Sequence, residues 1–332
     1  MSASPAPLVL LLDKPTGIGS TDVVREVRHA FRTERVGHTG TLDPDASGLL
    51  VVCVGDATKL VPFLTAEDKV YEATLAFGAA TDTDDATGAV VANGPTDHLD
   101  RAAIADALAA SVGPQLQLPP RYSAIRVQGR RLHERVRAGE NVDALLTPRE
   151  VVLHAAELVD FTRGEGSVPG VREGAEAQAA PAHSTAAPPV RATVRLHVGK
   201  GYYVRSLARD LGERLGTRAH LIALRRTRVG RESTGFHVDE AASLDSLGAP
   251  EGQPVSGTLD PLIALRRVMP SLSLTPAQAQ RVRTGQRIGA FEFPLAPTEC
   301  PLVATLDSGT GQEELVAVAE IRNGRLEILR GF

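Results

Sequence analysis

Two cysteines, Cys53 and Cys300, are all that this 332-residue chain contains. They lie far apart, and Cys53 sits inside an apolar run. Two isolated thiols make no disulfide framework and are too few for a zinc site, so a reducing cytoplasm is the expected compartment. Long hydrophobic stretches are missing as well. The longest apolar runs, 8–12 and 49–54, have strand length, far below the roughly 20 residues of a spanning helix. The opening MSASPAPLVLLLDKP lacks a basic n-region and its apolar core stops at Asp13, which reads as neither a signal peptide nor an anchor. Walker A, GxGxxG and nucleophile-elbow patterns are absent, and the nine histidines include no HExxH or paired ligand spacing. Neither a metal nor a cofactor is predicted. Lysine is scarce too: Lys14, Lys59, Lys69 and Lys200 stand against 32 arginines.

What is present is an ordinary globular composition, 42% apolar and 23% charged, which excludes collagen-like, coiled-coil and wholly disordered chains. The length favours about two domains, each able to bury a core. The formal net charge of −4 argues mildly against a highly basic nucleic-acid binder, although the field at a cleft depends on how charge is distributed. That distribution is uneven. Six arginines and one glutamate fall within 121–137, and eight arginines with two acids within 205–231.

Along the chain, residues 8–12 predict a buried strand, followed by a helix STDVVREVRHAF that Ser20 would cap. A glycine-punctuated loop, VGHTGTLDPDASG, leads into the strand LLVVCVG. Strands are predicted at 70–77 and 89–92, a helix at about 97–111, and strands at 150–162 and 190–198. The segment 164–189 is Ala, Gly, Pro and Glu with almost no large apolar side chain, so a disordered excursion between two paired strands is expected. A helix RSLARDLGERLG follows GKGYYVRS, and a Gly/Pro/Ser-rich linker covers about 247–258. The tail predicts a capped helix at about 275–284 and two strands joined by Asn323-Gly324, a strong hairpin signal.

One loop is chemically unusual. Asp43, Asp45, Ser47 and Gly48 imitate the start of an EF-hand, but the twelfth position is Val54, where a bidentate Glu is required. Asp82-Thr-Asp-Asp lacks a downstream glutamate and reads as a polar turn. Asp43 remains as a carboxylate between glycines 37, 40 and 48, directly before Pro44 and ahead of a buried strand. From the pattern alone a tight turn is the favoured reading.

The run GHTGTLDPDASGLL resembles the catalytic motif of the TruB-type tRNA pseudouridine synthases. LLLDKPTGIGS, KVYEATLAFG, TDTDDATG, YSAIRVQGRRLHERVRAG, GKGYYVRSLARDLGE and AHLIALRR follow in the family's order, over about residues 8–230. The resemblance implies an α+β fold. Its catalytic domain, 1–250, would be a mixed, mostly antiparallel sheet flanked by helices and loops, with a basic RNA-gripping insertion at 118–150. A small β-rich PUA-like RNA-binding domain would follow at 259–332. The implied activity is isomerisation of uridine to pseudouridine at position 55 in the TΨC loop of tRNA, by base flipping and without a guide RNA. The implied enzyme is a cytoplasmic monomer whose partner is the T-arm stem-loop of tRNA, with no membrane association and no obligatory protein partner.

By the same resemblance Asp43 is the nucleophilic aspartate, Tyr71 the base that removes the C5 proton, and Arg205 the arginine that pairs with the aspartate. Tyr203, expected on a strand and sharing its face with Arg205, would pack against the target base, and Leu224 would add an apolar contact. His38 would touch RNA near the flipped nucleotide, and Lys14 would serve as a structural or phosphate contact. Arg121, Arg126, Arg130 and Arg131 would bind phosphates, supplying salt-dependent affinity. Two other readings stay open at this level: a guide-RNA-dependent synthase of the dyskerin type, sharing the catalytic core, and a noncatalytic chaperone that refolds tRNA.

Overall fold

In the computed structural model the described residues are 6–123, 125–164, 190–248, 255–286, 288–293, 297, 300–307 and 313–332. The excursion expected at 164–189 lies, from residue 165 on, outside them. The chain forms two compact units, residues 1–67 with 228–332, and residues 68–227. The architecture is α+β with nearly all strand pairing antiparallel. Among the described pairs, Leu12–Asp13 with Ala242–Ser243, and Ser271–Leu274 with Pro301–Asp307, run parallel.

In the first unit the strands Leu8–Lys14 and Ser47–Val54 pair antiparallel, with Leu10 opposite Val52 and Leu12 opposite Leu50. Side chains alternate across a strand, yet neither strand alternates in polarity, because both faces are covered. Leu10, Leu12, Leu50, Val52 and Val54 pack with Val23, Val24 and Val27 of the helix Ser20–Ala30. Val9, Leu11, Leu49, Val51 and Cys53 pack with Leu60, Leu64 and the helix Pro261–Val268. Each fully buried aliphatic side chain contributes about 1.5–3 kcal/mol, so this double-sided pair anchors the loop that precedes Ser47. The helix begins one residue earlier than predicted: Gly19 is its N-cap and Ser20 its first residue. The Ser20 hydroxyl is engaged elsewhere, in contacts that bear on the candidate site.

The C-terminal part of this unit is a five-stranded sheet in the order Ser271–Leu274, Pro301–Asp307, Glu313–Arg322, Arg325–Gly331, Ile288–Gly289. Asn323 and Gly324, at φ 48° and 70°, form the hairpin turn between its long strands, as a type I′ turn requires. Thr275 caps the helix Pro276–Arg283 and exchanges hydrogen bonds with Gln278.

The second unit orders its strands Ala219–Val229, Lys69–Phe77, Val190–Val198, Arg149–Arg163 and Gly113–Gln117. Here alternation is clean: Val190, Ala192, Val194, Leu196 and Val198 are buried, while the residues between them are not. The predicted 97–111 helix is shorter, Arg101–Ala109. The Asp100 carboxylate accepts from the Ala103 amide at 2.7 Å and starts the helix there, and residues before it form a turn through Leu99 N–H to Thr96 O.

Burial pushes the Cys53 thiol up to about 12, so it stays protonated and shielded. Thiol titration in native buffer should leave Cys53 unmodified until denaturant is added. Rapid native labelling at Cys53 would show that the packed strand pair opens.

Candidate active-site loops

Lys14, His38 and Asp43 belong to the first unit. Asp43 opens a β-turn, its carbonyl accepting from the Ala46 amide at 3.1 Å, with Pro44 at the position such turns favour. The turn and the candidate nucleophile are therefore one feature. Its backbone is gripped on both sides. Before it, the Ser20 hydroxyl donates to Leu42 O (2.9 Å) and accepts from Leu42 N–H (2.8 Å). After it, Pro44 O accepts from Lys14 Nζ (3.2 Å) and from Gly17 N–H (2.8 Å). Lys14 Nζ also donates to the carbonyls of Pro15 (2.9 Å) and Ile18 (2.7 Å). The lysine is completely buried. Gly48, opposite Lys14 in the strand pair, has φ 101°, a conformation suited to glycine. His38 is half-buried, and its Nδ1 accepts from the Gly40 amide at 3.2 Å.

The remaining candidates lie in the second unit. Tyr71 is on the buried face of its strand, opposite Leu196. Tyr203 is not on a strand, contrary to the sequence reading. The strand ends at Val198, Gly201 turns the chain at φ 81°, and Tyr203 is the N-cap of the helix Val204–Arg214, which contains Arg205. The period-two argument for a shared face therefore fails. Gln117 holds the Tyr203 backbone instead, donating to its carbonyl (3.0 Å) and accepting from its amide (2.8 Å). Leu224 is half-buried on the Ala219–Val229 strand.

Arg205 is buried, with its side chain 7% exposed. Its Nη1 donates to Thr83 O (3.1 Å) and lies 3.3 Å from Asp85 Oδ2, and its Nη2 donates to Tyr122 O (2.9 Å). The TDTDDATG segment is thus a built receptor for a guanidinium as well as a polar turn. Asp85 Oδ1 accepts from the hydroxyls of Thr83 (2.7 Å) and Thr87 (2.5 Å) and from Thr87 N–H (3.0 Å). A Cβ at Gly88 would lie 2.3 Å from Asp82 Oδ1, so the loop needs glycine there. Asp84 pairs with Arg209 at 3.0 Å. Burial pushes the Asp84 carboxyl up, and Arg209 and Arg205 pull against it. Sequence reasoning missed Asp84, Asp85, Ser20 and Gln117 as site-building residues. A detectable signal was two adjacent acids matched to arginines four apart on one helix.

The basic lobe is less one-sided than 121–137 suggests. Arg121 pairs with Asp143 (2.6 Å), and Glu140 takes Arg130 (2.6 Å) and Arg135 (2.8 Å). Arg126 donates to Gly129 O within a short hairpin, and Arg131 is exposed. These acids lie just beyond the stretch that looked purely basic. Arg121 and Arg130 hold their pairs at the solvent-exposed surface, where water and salt compete with them. Among the described residues no group of His, Cys, Asp and Glu is arranged to hold a metal ion, and no helix is long and apolar enough to cross a membrane.

The fold is shared with solved structures. A complex described as Cbf5-Nop10-Gar1 matches over 98% of this chain and 84% of its own, at TM-score 0.64 and 20% identity. An H/ACA RNP bound to a substrate RNA containing 2′-deoxyuridine matches at TM-score 0.63 and 19% identity, with the same coverage. The model of the TruB family pseudouridylate synthase N-terminal domain matches residues 28–170, and that of the tRNA pseudouridylate synthase B C-terminal domain matches 205–251. The tRNA pseudouridine synthase B of Thermobifida fusca is 42% identical, covering 84% of this chain and 86% of that protein. The protein of the same name from Deinococcus radiodurans is 37% identical over 98% and 99%. This chain belongs to the TruB family of pseudouridylate synthases.

Ser20→Ala would strand two buried backbone groups of Leu42 and should cost about 1–3 kcal/mol. Urea denaturation checks this, and an unchanged midpoint would mean that the loop is held without the hydroxyl. His220, whose Nδ1 lies 2.8 Å from Ala79 O, is buried, and burial pulls its pKa below 6.5. Below about pH 6.5 the unfolded chain then binds more protons than the folded one, so this histidine destabilises the fold progressively as the pH is lowered. Urea midpoints at pH 7.5 and 5.5 should lie closer together in His220→Gln than in the wild type. An equal separation would remove His220 from the acid response.

Proposed function

We propose that this chain isomerises uridine to pseudouridine at position 55 in the T-arm of tRNA, unaided by a guide RNA, with Asp43 as the carboxylate that starts the reaction. The observation that carries the reading is the DPDA turn, clamped through Leu42 and Pro44, in a chain 42% identical to a protein named tRNA pseudouridine synthase B. The reaction breaks the bond from ribose C1′ to uracil N1, turns the base, and forms a bond from C1′ to C5. The C5 proton leaves and N1 gains one, with no net oxidation or hydrolysis. A fixed carboxylate suits this chemistry, whether it adds to the base, attacks the sugar or removes a sugar proton. A backbone held on both sides spends little entropy in bringing that group to the substrate.

Tyr71 serves as the base for the C5 proton. Arg205, held by Asp85 and Thr83 O, supplies positive charge that favours the ionised aspartate. Tyr203 and Leu224 contact the flipped base, and His38 the neighbouring RNA. Extrusion of the base costs a few kcal/mol, offset by phosphate contacts from Arg121, Arg126, Arg130 and Arg131 on the lobe. The segment 259–332 acts as a PUA-like module that touches RNA. The protein works as a monomer in the cytoplasm, where its two free thiols stay reduced.

Purified protein with a bare T-arm stem-loop should form pseudouridine at the target position, read by chemical mapping. Asp43→Asn should abolish the product while binding the stem-loop with little change. Product in the Asp43→Asn reaction would remove Asp43 from the chemistry, and turnover that required an added guide RNA would defeat the stand-alone reading.

A further inference from the structure

The pairing of Asp84 with Arg209 repeats, one helical turn further on, the pairing of Asp85 with Arg205. Arg205 and Arg209 stand four apart on the helix Val204–Arg214, so both side chains rise from one face. Asp84 and Asp85 are adjacent, and adjacent residues of an extended chain point to opposite sides. Both carboxylates reach the same helix because Asp84 leaves the extended region, at φ 61°. That conformation is unfavourable for most residues other than glycine, with Asn and Asp its commonest exceptions.

Arg209 also copies the rest of the Arg205 pattern. Each takes a carboxylate from the 81–88 loop and a carbonyl from the 118–122 segment. Arg205 donates to Tyr122 O at 2.9 Å, and Arg209 to Leu118 O at 2.8 Å. Ser206 Oγ donates to Leu118 O as well, at 2.8 Å. The four charged side chains are 7–20% exposed, so neither pair is a solvated surface contact that salt readily screens. Asp210 accepts from Arg209 Nε at 3.0 Å, which further fixes that guanidinium.

We propose that Asp84 and Arg209 are a positioning pair for Arg205: they set the 81–88 loop and the base of the 118–150 lobe against the helix, so that Asp85 and Thr83 O meet the Arg205 guanidinium. This rests on the reading that Arg205 serves the uridine isomerisation. Asp84→Gly is the informative variant, because glycine suits φ 61° while the carboxylate is lost. With tRNA saturating, turnover by Asp84→Gly should fall roughly 10- to 100-fold, the scale expected when a reacting group is slightly misplaced, while the Kd for tRNA changes less than about twofold. Asp84→Asn, which still accepts from Arg209 and tolerates a positive φ, should recover part of the rate. Arg209→Met combined with Asp84→Gly should be no slower than the worse single variant.

The Arg205 Nε–Hε signal in NMR gives a readout free of turnover. It should be protected from exchange in the wild type and lose protection in Asp84→Gly. Wild-type turnover with Asp84→Gly, multiplicative losses in the double variant, or an unchanged Arg205 signal would each overturn the proposal. A wild-type protein that makes no pseudouridine would defeat the functional reading, and the NMR comparison would still decide the pair.

Discussion

The Lys14 ammonium, buried and bonded to the carbonyls of Pro15, Ile18 and Pro44, ties the end of the first strand to the turn that carries Asp43. Removing an ammonium from water costs several kcal/mol even after relaxation, so the site tolerates that charge only with its acceptors closely aimed. These three carbonyls belong to two separate segments. The lysine therefore dictates where the 14–18 turn lies against the 42–46 turn. The Ser20 hydroxyl completes the arrangement through Leu42. The apolar strand pair supplies the rigid platform from which both turns depart.

A different economy governs the second unit. There the catalytic candidate Arg205 is satisfied by carbonyls and a carboxylate from two loops, so its position depends on the mutual packing of those loops. Arginine suits such a place because its planar fork offers five donors at fixed angles. Asp85, in turn, is held by the hydroxyls of Thr83 and Thr87, so no member of this chain of contacts is free to rotate alone. The lobe arginines are in the opposite state. Arg121 and Arg130 are paired with Asp143 and Glu140 on the surface, where exchange of one anion for another costs little.

Much of this was legible in the chain. The unbroken runs LVLLL and LLVVCV announced strands covered on both faces, and Val190–Val198 announced its one buried face by alternation. Asn323-Gly324 marked its hairpin and Thr275 its helix start, because turn and cap chemistry is local. Tyr203 was misplaced because the sequence reading put it on a strand beyond the one predicted at 190–198, whereas the chain turns at Gly201 through a backbone angle that many sequences with glycine do not adopt. The acids Glu140 and Asp143 were overlooked because the charge run was judged by a window that ended at 137.

The amino-acid sequence by itself determined the strands at 8–12, 49–54, 70–77, 150–162 and 190–198, the C-terminal hairpin and the family, since these follow from periodicity, turn residues and motifs in order along the chain. It left the strands Gly113–Gln117, Ala219–Val229 and Pro301–Asp307 and the helix Pro261–Val268 unassigned. It also singled out Asp43 as a carboxylate in an unusual loop. Only the tertiary structure decided that Ser20 grips Leu42 instead of capping its own helix, that Lys14 spends its ammonium on backbone carbonyls, and that Asp84 and Asp85 answer Arg209 and Arg205. Apart from the Lys14 bonds to Pro15 and Ile18, these contacts join residues between 22 and 125 positions apart, and hydrogen-bond geometry at that separation is set by how the strands and helices pack.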